Sequence, residues 1–202
     1  MPARSPDADC EASFPVLPVY ILSGGRSIRF GSDKARAVLK GEPLIKRLAA
    51  AAQPIASSVT VVADVQDKYA DLGLTTIADE TPGLGPLGGL ATALGHLQRR
   101  ADSAQLLLLS CDMLVFRPQW AAMLASAAQA EPAAVIFDDG RWQPMPGIYH
   151  RRILPTARQL LSAGQRAMKQ LLMDIGPMTL PVPADWPDRL QANRPEDLEP
   201  GA

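Results

Sequence analysis

Strand-length apolar runs alternate with longer stretches of helical period along nearly the whole of this chain, and that alternation restricts the fold more than any other feature. Residues 16–22, 59–63, 74–78 and 133–137 are short β-branched or Leu-rich runs, and residues 105–110 (QLLLLS) form the clearest of them. Between them, residues 43–55 carry Leu44, Ile45, Leu48 and Ala52 at helical spacing, with Pro43 placed for a first turn. Residues 87–100, 119–129, 153–163 and 167–175 also read as helices, with short helices around 66–72 and at 195–198. Residues 142–149 read as extended, but Pro144 and Pro146 interrupt them, which predicts an edge or irregular strand. Asp138-Asp139-Gly140 reads as the hairpin turn before it. Strands separated by helices of about ten residues are the pattern of βαβ units, so the expected class is α/β, with a parallel sheet covered by helices on both faces.

Residues 1–15, rich in Pro, Ser, Ala and Asp, predict a flexible leader, and residues 16–202 a single domain. Lys and Arg total 20 against 21 Asp and Glu, so the chain carries no broad positive field for nucleic acid or an anionic membrane. Any anion it binds needs a local site. Cys10 and Cys111 are too few for a disulfide framework or a zinc site, which suits a reducing compartment. No apolar run approaches the roughly 18 residues of a membrane span. The expectation is a soluble cytoplasmic protein with neither nucleic acid nor membrane as partner.

In open α/β sheets, ligands sit beyond the carboxyl ends of the strands. The first strand ends in Leu22-Ser23-Gly24-Gly25, followed by Arg26-Ser27-Ile28-Arg29-Phe30-Gly31-Ser32-Asp33-Lys34. Gly24 and Gly25 let backbone N–H groups approach a ligand, and Arg29 and Lys34 add charge suited to a polyphosphate. A glycine pair alone would suit a solvated loop; the strand before it and the cations after it favour a phosphate site. Gly31 is followed by Ser-Asp-Lys, so this is not the P-loop G-x-x-x-x-G-K-[ST], and G-x-G-x-x-G is absent too. The third strand leads to Asp79 and then to Pro82-Gly83-Leu84-Gly85-Pro86-Leu87-Gly88-Gly89, a second glycine loop able to admit a flat base against its backbone. The fourth strand leads to Cys111 and Asp112. A carboxylate at that edge suits Mg²⁺ beside a polyphosphate, or else a helix N-cap.

Taken together, L-S-G-G-R-S-x-R-F-G-S-D-K, I-A-D-x-x-P-G-x-G-P-L-G-G, S-C-D and N-R-P-E-D-L resemble the motifs of the molybdenum cofactor guanylyltransferases, the MobA-like branch of the Rossmann-like nucleotidyltransferases. The resemblance runs in consistent order over residues 16–198. It implies a Rossmann-like three-layer sandwich with a mostly parallel central sheet. It also implies transfer of GMP from MgGTP to molybdopterin carrying molybdenum, with pyrophosphate released. On the matching positions it makes Leu22, Ser23, Gly24 and Gly25 a GTP-binding loop. Lys34 becomes a phosphate ligand, Asp79 a GTP contact and Asp112 the Mg²⁺ ligand, while Lys34, Arg29 and Asp112 are the implied catalytic set. Gln143, Arg166 and Asn193 match segments of the family's acceptor half. The resemblance makes molybdopterin-synthesis and molybdoenzyme-maturation proteins the candidate protein partners. The chain departs from the family pattern at Val62, where Asn is frequent, and at Gln191 and Arg194.

A phosphate monoester nucleophile is already ionised near neutral pH, so such chemistry rests on positioning and charge neutralisation and needs no His–Asp or Ser–His pair. Two alternatives stay open at this point. One is a related nucleotidyltransferase using CTP or another phosphorylated acceptor; the other is a non-catalytic molybdopterin-binding or delivery protein. His96 and Cys111 read as structural, Trp142 as packing, and His150-Arg151-Arg152 as surface or as help for a pterin phosphate.

Overall fold

The computed structural model describes residues 16–24, 33–101, 103–192 and 194–198. The expected leader, together with Gly25, Arg29 and Asn193, lies outside the described residues. The first strand, β1 (Leu17–Ser23), is buried along almost its whole length, as a strand covered on both faces must be. A short hairpin, β2 (Val38–Leu39) and β3 (Glu42–Pro43), leads into helix α1 (Leu44–Ala52). Then come β4 (Ala56–Ala63), β5 (Thr76–Ala78), α2 (Gly85–Arg100), β6 (Gln105–Ser110) and α3 (Pro118–Ala128). The second half holds β7 (Ala134–Asp138), β8 (Trp142–His150), α4 (Leu154–Ser162), α5 (Met168–Ile175) and β9 (Met178–Pro181).

Seven strands form one sheet in the order β5-β4-β1-β6-β8-β7-β9. All neighbours pair in parallel except those of β8, which runs against both β6 and β7. The strands' alternation divides the core into two layers. Val19 and Ile21 of β1 and Leu107 and Leu109 of β6 pack with Ile45 and Leu48 of α1 and Trp120 and Leu124 of α3. Tyr20, Leu22, Leu106 and Leu108 face the other way, against Leu90 and Leu94 of α2, Ala157 of α4 and Leu171 of α5. The three-layer α/β sandwich is therefore as expected. No helix among the described residues is long and apolar enough to cross a membrane.

Two local expectations are corrected. Residues 66–72 form turns and a single 3₁₀ turn, Ala70–Leu72, closed by Gly73 in the left-handed region at φ 74°. β8 is irregular, as its prolines predict, but it is an interior strand rather than an edge. Pro144 and Pro146 are tolerated because pairing with β6 begins only at Gly147, and the register with β7 slips between Gly147 and Gln143. The prolines sit in that irregularity, where no ladder N–H is required. Gly147 itself is enclosed: a Cβ there would lie 2.6 Å from the Pro144 carbonyl oxygen and 3.0 Å from the Tyr149 ring. Gly147→Ala is expected to lower stability by about 1–3 kcal/mol, the usual cost of overpacking. A denaturant titration checks this, and an unchanged midpoint would contradict it.

Beyond β9, Trp186 packs against Trp120 and Phe137 with ring centroids 4.8 and 5.3 Å apart. The chain then runs back along the segment after β6. Leu114 N–H donates to the Leu190 carbonyl at 2.8 Å, and Ala192 N–H donates to the Asp112 carbonyl at 2.9 Å. Gln191, one of the departures from the family pattern, bridges Met113 in this ladder. The C-terminal segment thus fixes the backbone of Asp112 at the sheet edge.

Candidate active site

The chain leaves β1 for β4 and β5 on one side, then returns through α2 to β6 on the other side of β1. The carboxyl ends of β1 and β6 therefore flank the point where the strand order reverses, the place where such sheets open a crevice for ligands. Ser23 and Ser110 end these two strands. Cys111 N–H donates to the Leu22 carbonyl at 3.0 Å, holding the two exits side by side.

Lys34 and Asp112, 78 residues apart in sequence, meet at this edge: Lys34 Nζ donates to Asp112 Oδ2 at 2.9 Å. Ser110 Oγ donates to the other carboxylate oxygen at 2.6 Å. Lys34 is placed by a 3₁₀ turn, Lys34–Arg36, whose N-cap Asp33 accepts the Ala35 N–H at 3.1 Å while Ala35 is buried beneath it. Both members of the ion pair are partly exposed, at 15% and 19%, so a ligand at this edge of the sheet can reach them.

Asp79 follows β5 along the same edge. Its N–H donates to the Ala63 carbonyl at 2.6 Å, and its Oδ1 accepts from Thr92 Oγ at 2.7 Å and from Thr81 N–H at 3.3 Å. Neither Asp79 nor Asp112 caps a helix. The N-caps of α2 and α3 are Leu84 and Arg117, so the capping alternative falls away for both carboxylates.

The second glycine motif is corrected in part. Gly85-Pro86-Leu87-Gly88-Gly89 forms the first turns of α2 rather than a loop, because Pro86 is pre-set for an early helical position. A Cβ on Gly88 would stand 2.7 Å from Leu84 Cβ, and one on Gly89 would stand 3.0 Å from the Leu22 side chain. These glycines allow the helix to close on its own entry loop and on the end of β1. The loop proper is residues 80–84.

Because β8 runs antiparallel, its start reaches the site edge. Gln143 pairs with Phe137 there and donates through Nε2 to Asp139 Oδ2 at 2.9 Å. Arg166, between α4 and α5, donates to the Gly83 carbonyl at 3.5 Å, which puts it against the loop before α2. Trp142 is 36% exposed rather than packed. His150 is paired with Gln105 at the opposite edge of the sheet, so the trio His150-Arg151-Arg152 lies away from the crevice. Burial lowers the His150 pKa, with the Arg152 charge adding to it. His96 is structural as expected, its Nδ1 2.7 Å from the hydroxyl of buried Tyr20. Burial pushes the Cys111 thiol up to about 12, which keeps it protonated and unsuited to be a nucleophile. Val62 is buried in the α2-side core beside Leu22 and Ile77.

The sequence did not reveal Tyr69, Lys68 or Thr92 at this edge. Tyr69 lies in the segment read as a short helix, and nothing in its neighbours announces what its hydroxyl touches.

Residues 19–177 match the family described as MobA-like NTP transferase domain. The chain belongs to the MobA-like NTP transferase family. A relative from Nostoc sp., named probable molybdenum cofactor guanylyltransferase, is 33% identical over 189 residues, covering 90% of this chain and 88% of that one. The molybdenum cofactor guanylyltransferase of Pseudomonas putida is 32% identical over 167 residues, 80% of this chain and 84% of that one. Among solved structures, the molybdopterin-guanine dinucleotide biosynthesis protein A of Archaeoglobus fulgidus superposes with a TM-score of 0.71 at 21% identity, over 82% of this chain and 84% of that chain. At that identity the likeness is one of fold, which in this chain is an α/β sandwich around a mixed, mostly parallel seven-stranded sheet.

Proposed function

We infer that this chain is a molybdenum cofactor guanylyltransferase: it transfers GMP from GTP to molybdopterin carrying molybdenum and releases pyrophosphate. The observation that carries this reading is the meeting of Lys34 and Asp112 at the β1/β6 crevice of a MobA-like domain. The relatives at about a third identity supply the guanine and the acceptor. A cytoplasmic setting belongs to the same reading.

The reaction forms a bond between a terminal phosphate oxygen of molybdopterin and the α-phosphorus of GTP. It breaks the bond from that phosphorus to the oxygen bridging to the β-phosphate, and the electron pair leaves with pyrophosphate. Little proton transfer is needed, so the protein's task is alignment and neutralisation of charge. In this reading Leu22, Ser23, Gly24 and Gly25 cradle the nucleotide, and Lys34, with Arg29, offsets charge on the departing pyrophosphate. Asp79, fixed by Thr92 and Thr81, orients the nucleoside end. Gln143, Arg166 and Asn193 serve the acceptor.

Mg²⁺ is held in many phosphoryl-transfer sites by one or two carboxylates together with substrate phosphates. The donor set fits that pattern: Asp112 offers hard oxygen donors, partly exposed, at the crevice, and no larger His/Cys/Asp/Glu cluster occurs among the described residues. When bound there, Mg²⁺ would supply neutralisation of the triphosphate. Lys34, which donates to Asp112 Oδ2, is the cation placed beside that carboxylate to meet the phosphates.

The test offers purified protein, Mg²⁺ and molybdenum-loaded molybdopterin an equal mixture of GTP, CTP and ATP, with the dinucleotide product identified by chromatography. The guanine dinucleotide is expected. A cytosine product would overturn the base assignment, and no dinucleotide with GTP still bound would turn the reading to a binding or delivery protein.

A further inference from the structure

Tyr69 is completely buried, yet its hydroxyl reaches the active-site edge. It lies 2.6 Å from Ser23 Oγ and 2.9 and 3.2 Å from the two carboxylate oxygens of Asp33. Ser23 is the residue at which the glycine-rich segment leaves β1. Asp33 is the N-cap of the 3₁₀ turn that begins with Lys34. One phenol therefore links the exit of β1 to the turn that carries Lys34.

The direction of the hydrogen bonds follows from chemistry. An ionised carboxylate only accepts, so the single phenolic proton goes to Asp33 and the Ser23 hydroxyl donates to the phenol oxygen. The result is a relay, Ser23 to Tyr69 to Asp33, whose members polarise one another. Cations flank it. Lys68 Nζ is 3.4 Å from Asp33 Oδ2 and 2.7 Å from Asp64 Oδ1, and Arg36 binds Asp71 at 2.7 and 2.8 Å. Both cations lie over the Tyr69 ring, 5.6 and 5.2 Å from its centroid. Burial pushes the Tyr69 phenol up to about 12, and the negative charge of Asp33 adds to the shift, so it stays a donor throughout the working pH range.

A phenylalanine ring would fill the core here as well. What the hydroxyl adds is the link between Ser23 and Asp33. We propose that Tyr69 is a positioning residue for nucleotide binding: its hydroxyl ties the exit of β1 to Asp33 and so sets Lys34 and the Ser23–Gly24 backbone in register for the triphosphate. This rests on reading the β1/β6 crevice as a GTP site.

The experiment compares the full-length protein with Tyr69→Phe and Asp33→Asn. It reads the Kd for a fluorescent GTP analogue, then KM and kcat in dinucleotide formation, and thermal unfolding. Loss of a bond to a charged acceptor predicts a Kd and KM for GTP raised about tenfold. kcat should remain near the wild-type value, because ground state and transition state lose the same positioning. Tyr69→Phe should keep a near-native melting temperature, and its effect should be constant from pH 6 to 9. The double variant should lose no more than either single one, since both break the same link. Wild-type Kd and KM in either single variant, or a lowered melting temperature with unchanged KM, would overturn the proposal and leave the GTP site standing. Wild-type protein that binds no GTP would overturn the GTP reading, and this proposal with it.

Discussion

Replacing Asp112 with alanine is expected to abolish nucleotidyl transfer, by about 10³-fold or more in kcat, while leaving the fold intact. The size follows from its position. Asp112 is the carboxylate at the carboxyl end of β6, beside the strand-order reversal, with Ser110 on one oxygen and Lys34 on the other. Its backbone is held independently, through its carbonyl and Ala192 N–H and through the Leu114–Leu190 hydrogen bond. Removing the side chain therefore deletes charge without loosening the edge. Activity of the purified variant, with its circular dichroism spectrum as a control, checks this. Normal turnover would remove Asp112 from the chemistry, and unfolding would show that its role is structural.

Lys34→Ala is expected to cost about 10²–10³-fold in kcat/KM, the range for loss of one preorganised charge at a developing anion. It should differ from the Asp112 variant in one respect. Lys34 is a donor to Asp112 Oδ2, so its removal frees that oxygen, and the affinity of the protein for MgGTP's metal should not fall with the rate. Lys34→Arg should restore only part of the activity, because a planar fork does not replace a mobile point charge reaching from a 3₁₀ turn. Rates near wild type in Lys34→Ala would show that the ion pair is a surface contact, of the kind that contributes little.

What was legible in the sequence was set by how local its cause is. β6 was readable to the residue because six consecutive residues, QLLLLS, can only be satisfied between two apolar layers. α2 and α3 were readable because their apolar positions recur at helical spacing. β9 was missed because it is largely exposed along Met178–Pro181, so it carries no apolar run to betray it. The hairpin of β2 and β3 is too short for any periodicity. The irregularity of β8 was readable from its prolines, but its interior place was not, because only the slip against β7 lets a central strand accommodate them.

The same division holds at the site. Ser23, Asp79 and Asp112 were visible as polar residues at the ends of apolar strands, which the topology then gathers at one edge. The Gly88–Gly89 pair was visible, but its close packing on Leu84 and Leu22 needed the path of α2. Tyr69 was not visible. Its partners lie 46 and 36 residues away, and its function arises only where the chain after β4 folds under the exit of β1.

The central claim is nucleotidyl transfer by attack at the α-phosphorus. Its most direct test gives the protein Mg²⁺, molybdenum-loaded molybdopterin and GTP labelled at either the α- or the γ-phosphorus. The α label is expected in the dinucleotide product and the γ label in pyrophosphate. Transfer of the γ label to the acceptor, or its release as inorganic phosphate without dinucleotide, would contradict it.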